Sequence, residues 1–245
     1  MNTIMRQVVN GGLISLLAVS LMACDKTPAV DENEEFAAIL EVADDGTSTL
    51  LESSLKSVFI ETNPLTEVEL TILQNLKEEE KLARDVYAKL YEKWGSRVFA
   101  NITKAENTHL NSVNYLLKYY GDADTLIAEP GVFSNPDFLS LYNELITKGS
   151  LSIEEAMSTG AMIEEMDISD INESLAELTN ENIVMVFGNL ARGSRNHLRA
   201  FNRQLTYLDV SYVPVFISES DYLQIVNSPV ERGSLYRIYG TCIYN

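Results

Sequence analysis

Acidic side chains interrupt the apolar face of a helix that the sequence predicts over residues 66–94. With a turn of about 100° per residue, the apolar stripe runs through Leu76 and Leu90. Glu79 and Glu80 lie at the two edges of this stripe. A carboxylate that faces a core is costly unless it is paired, hydrogen-bonded or bound to a metal ion. The two acids therefore indicate a buried site that other segments must complete.

Two further predicted helices each place a histidine on the apolar face. Over residues 98–119, Glu106 and His109 lie three positions apart on that face, so both can reach a common centre. Over residues 181–207, the apolar stripe includes His197. Both histidines of the chain are therefore predicted to face the core.

Another predicted helix, over residues 152–178, adds two more carboxylates. Glu164 lies at the centre of its apolar face, Asp167 lies at the edge of that face, and Glu165 points outward. Each of the four long predicted helices thus directs polar ligand groups inward near its midpoint.

This arrangement is typical of four-helix bundles that hold a carboxylate-bridged metal pair, in which two helices supply a glutamate and two supply Glu-x-x-His. Carboxylate oxygens and imidazole nitrogens suit iron, manganese or zinc better than copper(I). The predicted metal ligands are Glu80, Glu106, His109, Glu164 and His197, with Asp167 and Glu79 as possible substitutes.

The first predicted helix resembles that of rubrerythrin. The motif E-x-x-A-R-x-x-Y, which rubrerythrins carry there, is matched by Glu80, Ala83, Arg84 and Tyr87. Tyr87 is the candidate catalytic residue and is predicted to orient an acidic ligand. The alternative for Tyr87 is a half-buried tyrosine of the core.

The other helices resemble those of ferritin-like di-iron proteins. Glu106 and His109 match the E-x-x-H of the second helix. Glu164 matches the lone glutamate of the third helix, and Asp167 resembles an extra acid found there in rubrerythrins. The wider run, from E-E-E-K-L-A-R-D-V-Y through G-V-F-S-N-P to G-S-R-N-H-L-R-A-F, is similar to an uncharacterised prokaryotic ferritin-like family over residues 65–225.

The resemblance implies an all-α, ferritin-like four-helix bundle with one long crossover. It implies iron as the bound metal, with manganese or zinc as alternatives. The implied activity is that of an oxidoreductase of the ferroxidase or peroxide-reductase type, whose partners are a divalent metal ion and dioxygen or peroxide. The sequence has two cysteines, so it lacks the four-cysteine rubredoxin-like site of true rubrerythrins.

The fourth helix departs from the ferritin-like pattern. Where Glu-x-x-His is expected, the sequence has Ser194-x-x-His197, and serine is a poor ligand for a hard dication. A single-metal site or an asymmetric pair is therefore as compatible with the sequence as a full two-metal site. The alternative function is that of a non-catalytic metal-binding or interaction lipoprotein with a degenerate site.

The inward polar groups can also be accommodated without a metal. Inward glutamates usually pair with arginines, and the available ones are Arg84, Arg192, Arg195 and Arg199. Four methionines are expected to pack in the core rather than to form a soft-metal site: Met157, Met162, Met166 and Met185. A solvated face of the first helix is expected to carry Lys77, Glu78, Lys81 and Lys89.

The formal net charge of −18 over 245 residues argues against nucleic acid as a partner, because a polyanion is repelled by phosphate. The same repulsion applies to anionic membrane surfaces, so a lipid anchor is the only membrane contact expected. The negative field favours the approach of divalent cations, although solubility alone also accounts for such a charge.

Residues 1–23 are predicted to be a secretory signal peptide whose apolar run is too short to span a membrane. Its ending, L-M-A-C, resembles a bacterial lipobox, which implies lipid on Cys24; the alternative is a free cysteine after a cleaved signal. Residues 24–62 are then an acidic tether of an extracytoplasmic, membrane-anchored lipoprotein, on the periplasmic face or the cell surface. With Cys24 modified, Cys242 has no partner, so no intramolecular disulfide is expected.

The predicted bundle occupies residues 63–207. An extra short helix over 136–148 makes its crossover, because the second and third long helices must otherwise join directly. Residues 208–245 are predicted to be an extension that packs on the bundle as a flap, with a short helix after Ser218. A homodimer is compatible with the sequence.

Overall fold

The computed structural model describes residues 35–36, 40–42, 47–50, 59, 62–122, 128–232 and 235–236. The predicted signal peptide, the predicted lipid-bearing Cys24 and the second cysteine, Cys242, lie outside these residues. So do most of the predicted tether and the end of the predicted C-terminal extension.

The described part contains six helices. They are α1 (Glu67–Trp94), α2 (Arg97–Tyr119), α3 (Pro136–Gly149), α4 (Ile153–Glu177), α5 (Glu181–Tyr207) and α6 (Glu219–Asn227). There are two short antiparallel strand pairs, β1 (Glu35–Phe36) with β4 (Leu235–Tyr236) and β2 (Leu40–Val42) with β3 (Ser48–Leu50). Among the helices described, none is long and apolar enough to cross a membrane. The predicted all-α class is confirmed.

The ends of α1 follow from local chemistry. The Thr66 hydroxyl accepts a hydrogen bond from the Glu69 backbone N–H at 3.2 Å, and the Glu69 carboxylate accepts one from the Thr66 N–H at 2.9 Å. These bonds satisfy backbone donors that a helix start leaves free. At the other end, Gly95 adopts a left-handed φ of 64°, which costs glycine little. Both predicted ends of this helix are confirmed.

The four long helices, α1, α2, α4 and α5, form two hairpins that pack against each other. A two-residue link joins α1 to α2, so these helices run antiparallel. Tyr87 contacts Glu164, and Leu76 lies with Ile171 around one pocket, so α4 also runs antiparallel to α1. As a result α2 and α4 run in the same direction, and the connection that carries α3 must return along the bundle.

A polar layer divides the apolar core of the bundle in two. One apolar cluster includes Leu90 and Phe201, and the other includes Leu76 and Phe187. Along α1, α2 and α5, the residues of the two clusters are separated by Glu80, by Glu106 with His109, and by His197, respectively. Burial of the two clusters stabilises the bundle around a layer whose polar groups are costly to bury.

Segments outside the long helices cover the bundle. The side chains of Leu40 and Phe59 are buried in one apolar cluster, together with residues of α2 and α5. After α5, residues 210–217 run beside α4 and lead into α6, where Tyr222 and Ile225 are buried in the other cluster. The described start of the predicted extension therefore packs on the bundle.

The predicted solvated face of α1 is wrong for three of its four residues. Lys77, Glu78 and Lys81 are all more than nine-tenths buried, because the loop before α3 lies over this face. Glu78 accepts a hydrogen bond from the Ser134 N–H of that loop at 3.0 Å. Lys89 is exposed, as predicted.

The prediction that Glu165 points outward is also wrong, because this residue is fully buried. Its Oε2 accepts hydrogen bonds from the backbone N–H groups of Val215 and Phe216 at 2.7 and 2.9 Å. The segment after α5 thus covers a face of α4 that the pattern of α4 alone assigns to solvent.

Arg195 and Arg199 of α5 hold Glu231, which follows α6. Arg195 Nε donates to Glu231 Oε1 at 2.9 Å, and Arg199 Nη2 donates to the same oxygen at 2.7 Å. Burial alone would raise the pKa of Glu231, but the two guanidinium groups hold it below its usual range.

Glu231→Gln should lower the free energy of unfolding by about 2 kcal/mol near neutral pH, because hydrogen bonds to charged groups contribute about 1.5–3 kcal/mol. Since the pKa is lowered in the folded state, this contribution is complete above the ordinary pKa of about 4.3 and is lost as the pH falls through the lowered value. Urea unfolding of both proteins at neutral and acidic pH measures the effect. The difference should shrink in acid; an equal difference at both pH values would contradict a role for the charge.

Candidate metal centre

Glu106 lies between the two histidines in the polar layer. Its Oε2 is 2.9 Å from His109 Nδ1, and its Oε1 is 2.9 Å from His197 Nδ1. The two imidazole rings are nearly parallel, with centroids 5.2 Å apart and an interplanar angle of 19°. One ligand atom from each of the three residues lies within 4.8 Å of the others. A single carboxylate therefore contacts both imidazoles.

Each histidine also contacts a glutamate of its own. Glu80 Oε2 is 3.3 Å from His109 Nδ1, and Glu164 Oε2 is 3.3 Å from His197 Nδ1. The centre therefore has two matching halves, each with one imidazole nitrogen, one glutamate of its own and one oxygen of Glu106. The sequence-predicted ligands from all four long helices are brought together.

The polar atoms of this centre lie close together without being aligned for hydrogen bonding. All five side chains are fully buried. Within the described part of the chain, the atoms without a hydrogen-bond partner include both oxygens of Glu80 and Glu106, Oε2 of Glu164, and both ring nitrogens of His109 and His197. An unsatisfied buried polar group costs about 1–3 kcal/mol, and a bound cation would remove that cost for several of them at once.

The separations match the spacing of ligands around a metal ion. Carboxylate oxygens and imidazole nitrogens bind such ions at about 2.0–2.2 Å, so two neighbouring ligand atoms at a right angle lie about 3.0 Å apart. The four contacts between nitrogen and oxygen measure 2.9 or 3.3 Å. The residues therefore fit one ion in each half, or a single ion beside Glu106.

The four arginines that could have neutralised these glutamates are engaged elsewhere. Arg84 pairs with its neighbour Asp85 at 2.8 Å, and Arg192 donates to the backbone carbonyl of Leu40. The other two hold Glu231. The alternative in which arginines balance the inward glutamates is therefore wrong, and the ion pairs of these glutamates are with the histidines.

The pKa values show how the centre balances its charge by holding protons. Burial raises the pKa of Glu80 to about 8 and that of Glu164 to about 7, against the opposing charges of the nearby imidazoles. Burial alone would lower the pKa of His197, but the charges of Glu164 and Glu106 raise it to about 9. For Glu106, the effect of burial is outweighed by His197 and His109, which hold its pKa well below the usual range.

Asp167 and Glu79, the predicted substitute ligands, lie at the edge of the centre. Asp167 is buried, and burial together with the charges of Glu80 and Glu164 raises its pKa well above the usual range. Glu79 is also buried, and burial together with the charge of Asp170 raises its pKa in the same direction. Asp167 therefore borders the five central residues, whereas Glu79 faces Asp170.

Tyr87 contacts one of the predicted ligands. Its hydroxyl donates to Glu164 Oε1 at 2.6 Å, and the Gly160 carbonyl lies 3.2 Å from the same hydroxyl. Burial and the charge of Glu164 raise the pKa of Tyr87 well above the usual range, so the phenol keeps its proton and remains a donor. Tyr87 is fully buried rather than half-buried and holds Glu164 in orientation.

Tyr87→Phe should weaken metal binding by about tenfold, because residues that orient a ligand typically contribute 10- to 100-fold to affinity. It should also lower the free energy of unfolding by about 1–3 kcal/mol, since Glu164 Oε1 loses its donor. Tyr222→Phe is the matched control, because Tyr222 donates to Asn202 at 2.7 Å away from the centre. Cobalt(II) titration of both variants measures affinity; an equal loss in both would contradict the orienting role.

Gly193 of α5 makes room for the imidazole of His109. A Cβ added at Gly193 would lie 2.5 Å from His109 Nε2, closer than such atoms can approach. Glycine inside a helix costs about 1 kcal/mol relative to alanine. Glycine at this position therefore lowers the stability of the helix but leaves space for a predicted ligand.

Gly193→Ala should displace the imidazole and weaken cobalt(II) binding at least about tenfold, as expected when the support of a ligand is disturbed. The free energy of unfolding should fall by no more than about 2 kcal/mol, because a gain of about 1 kcal/mol in helix propensity offsets part of the crowding of about 1–3 kcal/mol. Gly149→Ala is the control, since its Cβ would crowd Leu90 at 2.9 Å instead. Unchanged cobalt(II) affinity in Gly193→Ala would contradict the claim that His109 needs the space beside Gly193.

Ser194, which replaces the expected glutamate of the fourth helix, makes no ligand-like contact. Its hydroxyl donates to the Leu190 carbonyl of its own helix at 3.2 Å. Glu106 is therefore the one carboxylate that spans both halves among the described residues. The four methionines pack in or against the apolar clusters, as predicted.

Two residues in or near the centre are absent from the sequence-based prediction. Gly193 carries a signal, because a glycine in the middle of a helix needs a packing reason. Asp170 continues a series of acids at every third position of α4, after Glu164 and Asp167. Extending that series by one turn would have found it.

Comparison with known proteins places the chain in a family. The family model described as "Uncharacterized protein domain (DUF2202)" matches residues 69–229. The chain is 45% identical over 171 residues to the uncharacterized protein MJ0754 of Methanocaldococcus jannaschii, across 69% of this chain and 92% of that protein. The crystal structure of hypothetical protein MJ0754 from Methanococcus jannaschii is similar with a TM-score of 0.68 and 43% identity, covering 70% of this chain and 99% of that one. The chain belongs to the DUF2202 domain family.

Proposed function

We propose that this chain is a ferritin-like metal-binding protein whose buried centre holds iron and supports oxidation and reduction with dioxygen or peroxide. The observation that carries the proposal is the position of Glu106, which lies 2.9 Å from both His109 and His197. Glu80 and Glu164 complete two matching halves.

The ferritin-like assignment is supported by the directions of the helices. Bundles of this class contain one long crossover connection. Here α2 and α4 run in the same direction, and the connection between them carries α3. The ligands come from the middle of all four long helices, as in carboxylate-bridged bundles.

Iron bound in the centre would supply the electrons that reduce a small oxidant. Glu106 would hold both halves together, while Glu80 and Glu164 would each bind at one end. Each half offers three ligand atoms, fewer than the four to six that such ions accept, so space remains for an oxidant. The apolar clusters on either side keep bulk water away. Tyr87 keeps Glu164 in place.

Manganese or zinc would fit the same oxygen and nitrogen atoms, and zinc would give a structural site without redox chemistry.

We further propose that the protein works outside the cytoplasm, anchored to a membrane through lipid on Cys24. The support for this placement is the lipobox-like sequence L-M-A-C alone.

A second candidate function is metal binding without catalysis. Ser194 favours it, because its hydroxyl bonds to its own helix and leaves the fourth helix with a single ligand, His197. Under this alternative the protein would retain a metal ion or dock a partner, and iron would not turn over with an oxidant.

Oxygen and peroxide consumption decides between the two candidates. Metal-free protein is loaded anaerobically with Fe(II), then mixed with dioxygen or with peroxide, and oxidant loss is compared with that of His109→Ala. The proposed function predicts oxidant consumption coupled to Fe(III) formation in the wild type, with both lost in the variant. Stoichiometric iron binding with no consumption above that of free Fe(II) would select the non-catalytic alternative.

A further inference from the structure

A small pocket opens between α1 and α4 at the edge of the metal centre. It has a volume of about 10 Å³, which is room for roughly one water molecule. Its walls include Asn75 and Glu79 of α1 and Asp170 and Ser174 of α4. Asn75 and Ser174 are partly exposed, so the pocket reaches the surface.

Carboxylates continue from this pocket to the centre. On α4, Asp170, Asp167 and Glu164 follow one another at every third residue, so they lie on one side of the helix and about 4.5 Å apart along its axis. On α1, Glu79 lines the pocket and is followed by Glu80 of the centre.

Two buried carboxylates of this series each have one oxygen that could bind a cation. In the described structure, Glu79 Oε1 and Asp167 Oδ2 have no hydrogen-bond partner, although the residues are only 8% and 4% exposed. Unpartnered buried oxygens that line a pocket or border the centre suit a hard divalent cation.

We propose that Glu79, Asp170 and Asp167 form an outer carboxylate path that binds divalent cations at the surface and passes them to the buried centre. The inference rests on the proposed metal function and adds the route by which the ion arrives. A cleft lined by one sign of charge concentrates ions of the opposite sign and can raise on-rates by 10- to 1,000-fold.

Stopped-flow loading with cobalt(II) tests the path, with the visible absorption of the bound ion as the signal. Glu79→Gln and Asp170→Asn should each slow loading about tenfold, the lower end of the effect of such a cleft. Final stoichiometry and the absorption spectrum at saturation should stay as in the wild type. Glu173→Gln is the matched control, because it makes the same kind of substitution at an exposed acid on the same helix.

The outcomes separate the path from the centre. Loading as fast in both variants as in Glu173→Gln would overturn the path while leaving the centre intact. A lower final stoichiometry in Asp170→Asn would also overturn it, because Asp170 would then be a ligand of the centre. If the wild type takes up no cobalt(II), the proposed function and the path fail together. Circular dichroism melting of the metal-free variants confirms that each one is folded, and the two variants test the path independently.

Discussion

Glu106→Gln should weaken metal binding at least about 100-fold. A four-ligand site binds with about 10–16 kcal/mol, so one ligand contributes about 3 kcal/mol, which corresponds to roughly a hundredfold change in affinity. Glu106 contacts both histidines, so both halves should lose affinity together. Glutamine keeps the volume of the side chain but cannot supply two carboxylate oxygens. Cobalt(II) titration and elemental analysis of the purified variant measure the loss.

Glu165→Gln is the matched control for this prediction. Glu165 is as deeply buried as Glu106, but it accepts hydrogen bonds from the backbone of the segment after α5. The control should bind metal as the wild type does and lose about 1 kcal/mol of stability, since a charge-assisted hydrogen bond becomes a neutral one. Equal metal content in the two variants would contradict the central place of Glu106.

Removal of the metal should lower the free energy of unfolding of the wild type by about 4 kcal/mol. This value applies when the metal-loaded protein is measured at a free metal concentration of about 1,000 times the dissociation constant. For a folded part of this size the melting temperature should fall by roughly 8–16 °C, because each kcal/mol shifts it by about 2–4 °C. The metal-free centre keeps unsatisfied buried atoms on Glu80, Glu106 and both histidines, and the ion is what satisfies them. Calorimetry with and without a chelator gives the shift.

The same calorimetry on Glu106→Gln tests the source of the effect. The chelator should leave the melting temperature of this variant nearly unchanged, because there is little bound metal to remove. An equal shift in wild type and variant would mean that the ion stabilises the protein at another place.

Local chemistry makes the helices predictable. The capping box at Thr66 and the left-handed Gly95 set the ends of α1. The Ser152 side chain accepts a hydrogen bond from the Glu155 N–H at the start of α4. These signals lie within a few residues of the feature that they determine.

Contacts between distant segments are not predictable in the same way. The pattern of α4 assigns Glu165 to solvent because it contains no information about residues 210–217, which cover this side chain. The prediction for Lys81 fails for a related reason: its Nζ donates to the carbonyl of Glu129, in a loop 48 positions away. Long-range packing overrides the face that a single helix presents.

The candidate centre is predictable because it repeats on four helices. A single inward acid is compatible with many roles, but Glu80, Glu106, His109, Glu164 and His197 fall at matching depths. The sequence does not indicate that Glu106 contacts both histidines while Ser194 turns back to its own helix. That asymmetry depends on side-chain geometry, which residue spacing does not determine.

A crystal structure of the protein loaded anaerobically with Fe(II), with anomalous scattering recorded at the iron absorption edge, tests the central claim most directly. We expect an anomalous peak about 2.0–2.2 Å from an oxygen of Glu106 and from the Nδ1 atom of His109, His197 or each of them. Fully loaded crystals with no peak in the polar layer, and with Glu106 hydrogen-bonded to both imidazoles instead, would contradict the account.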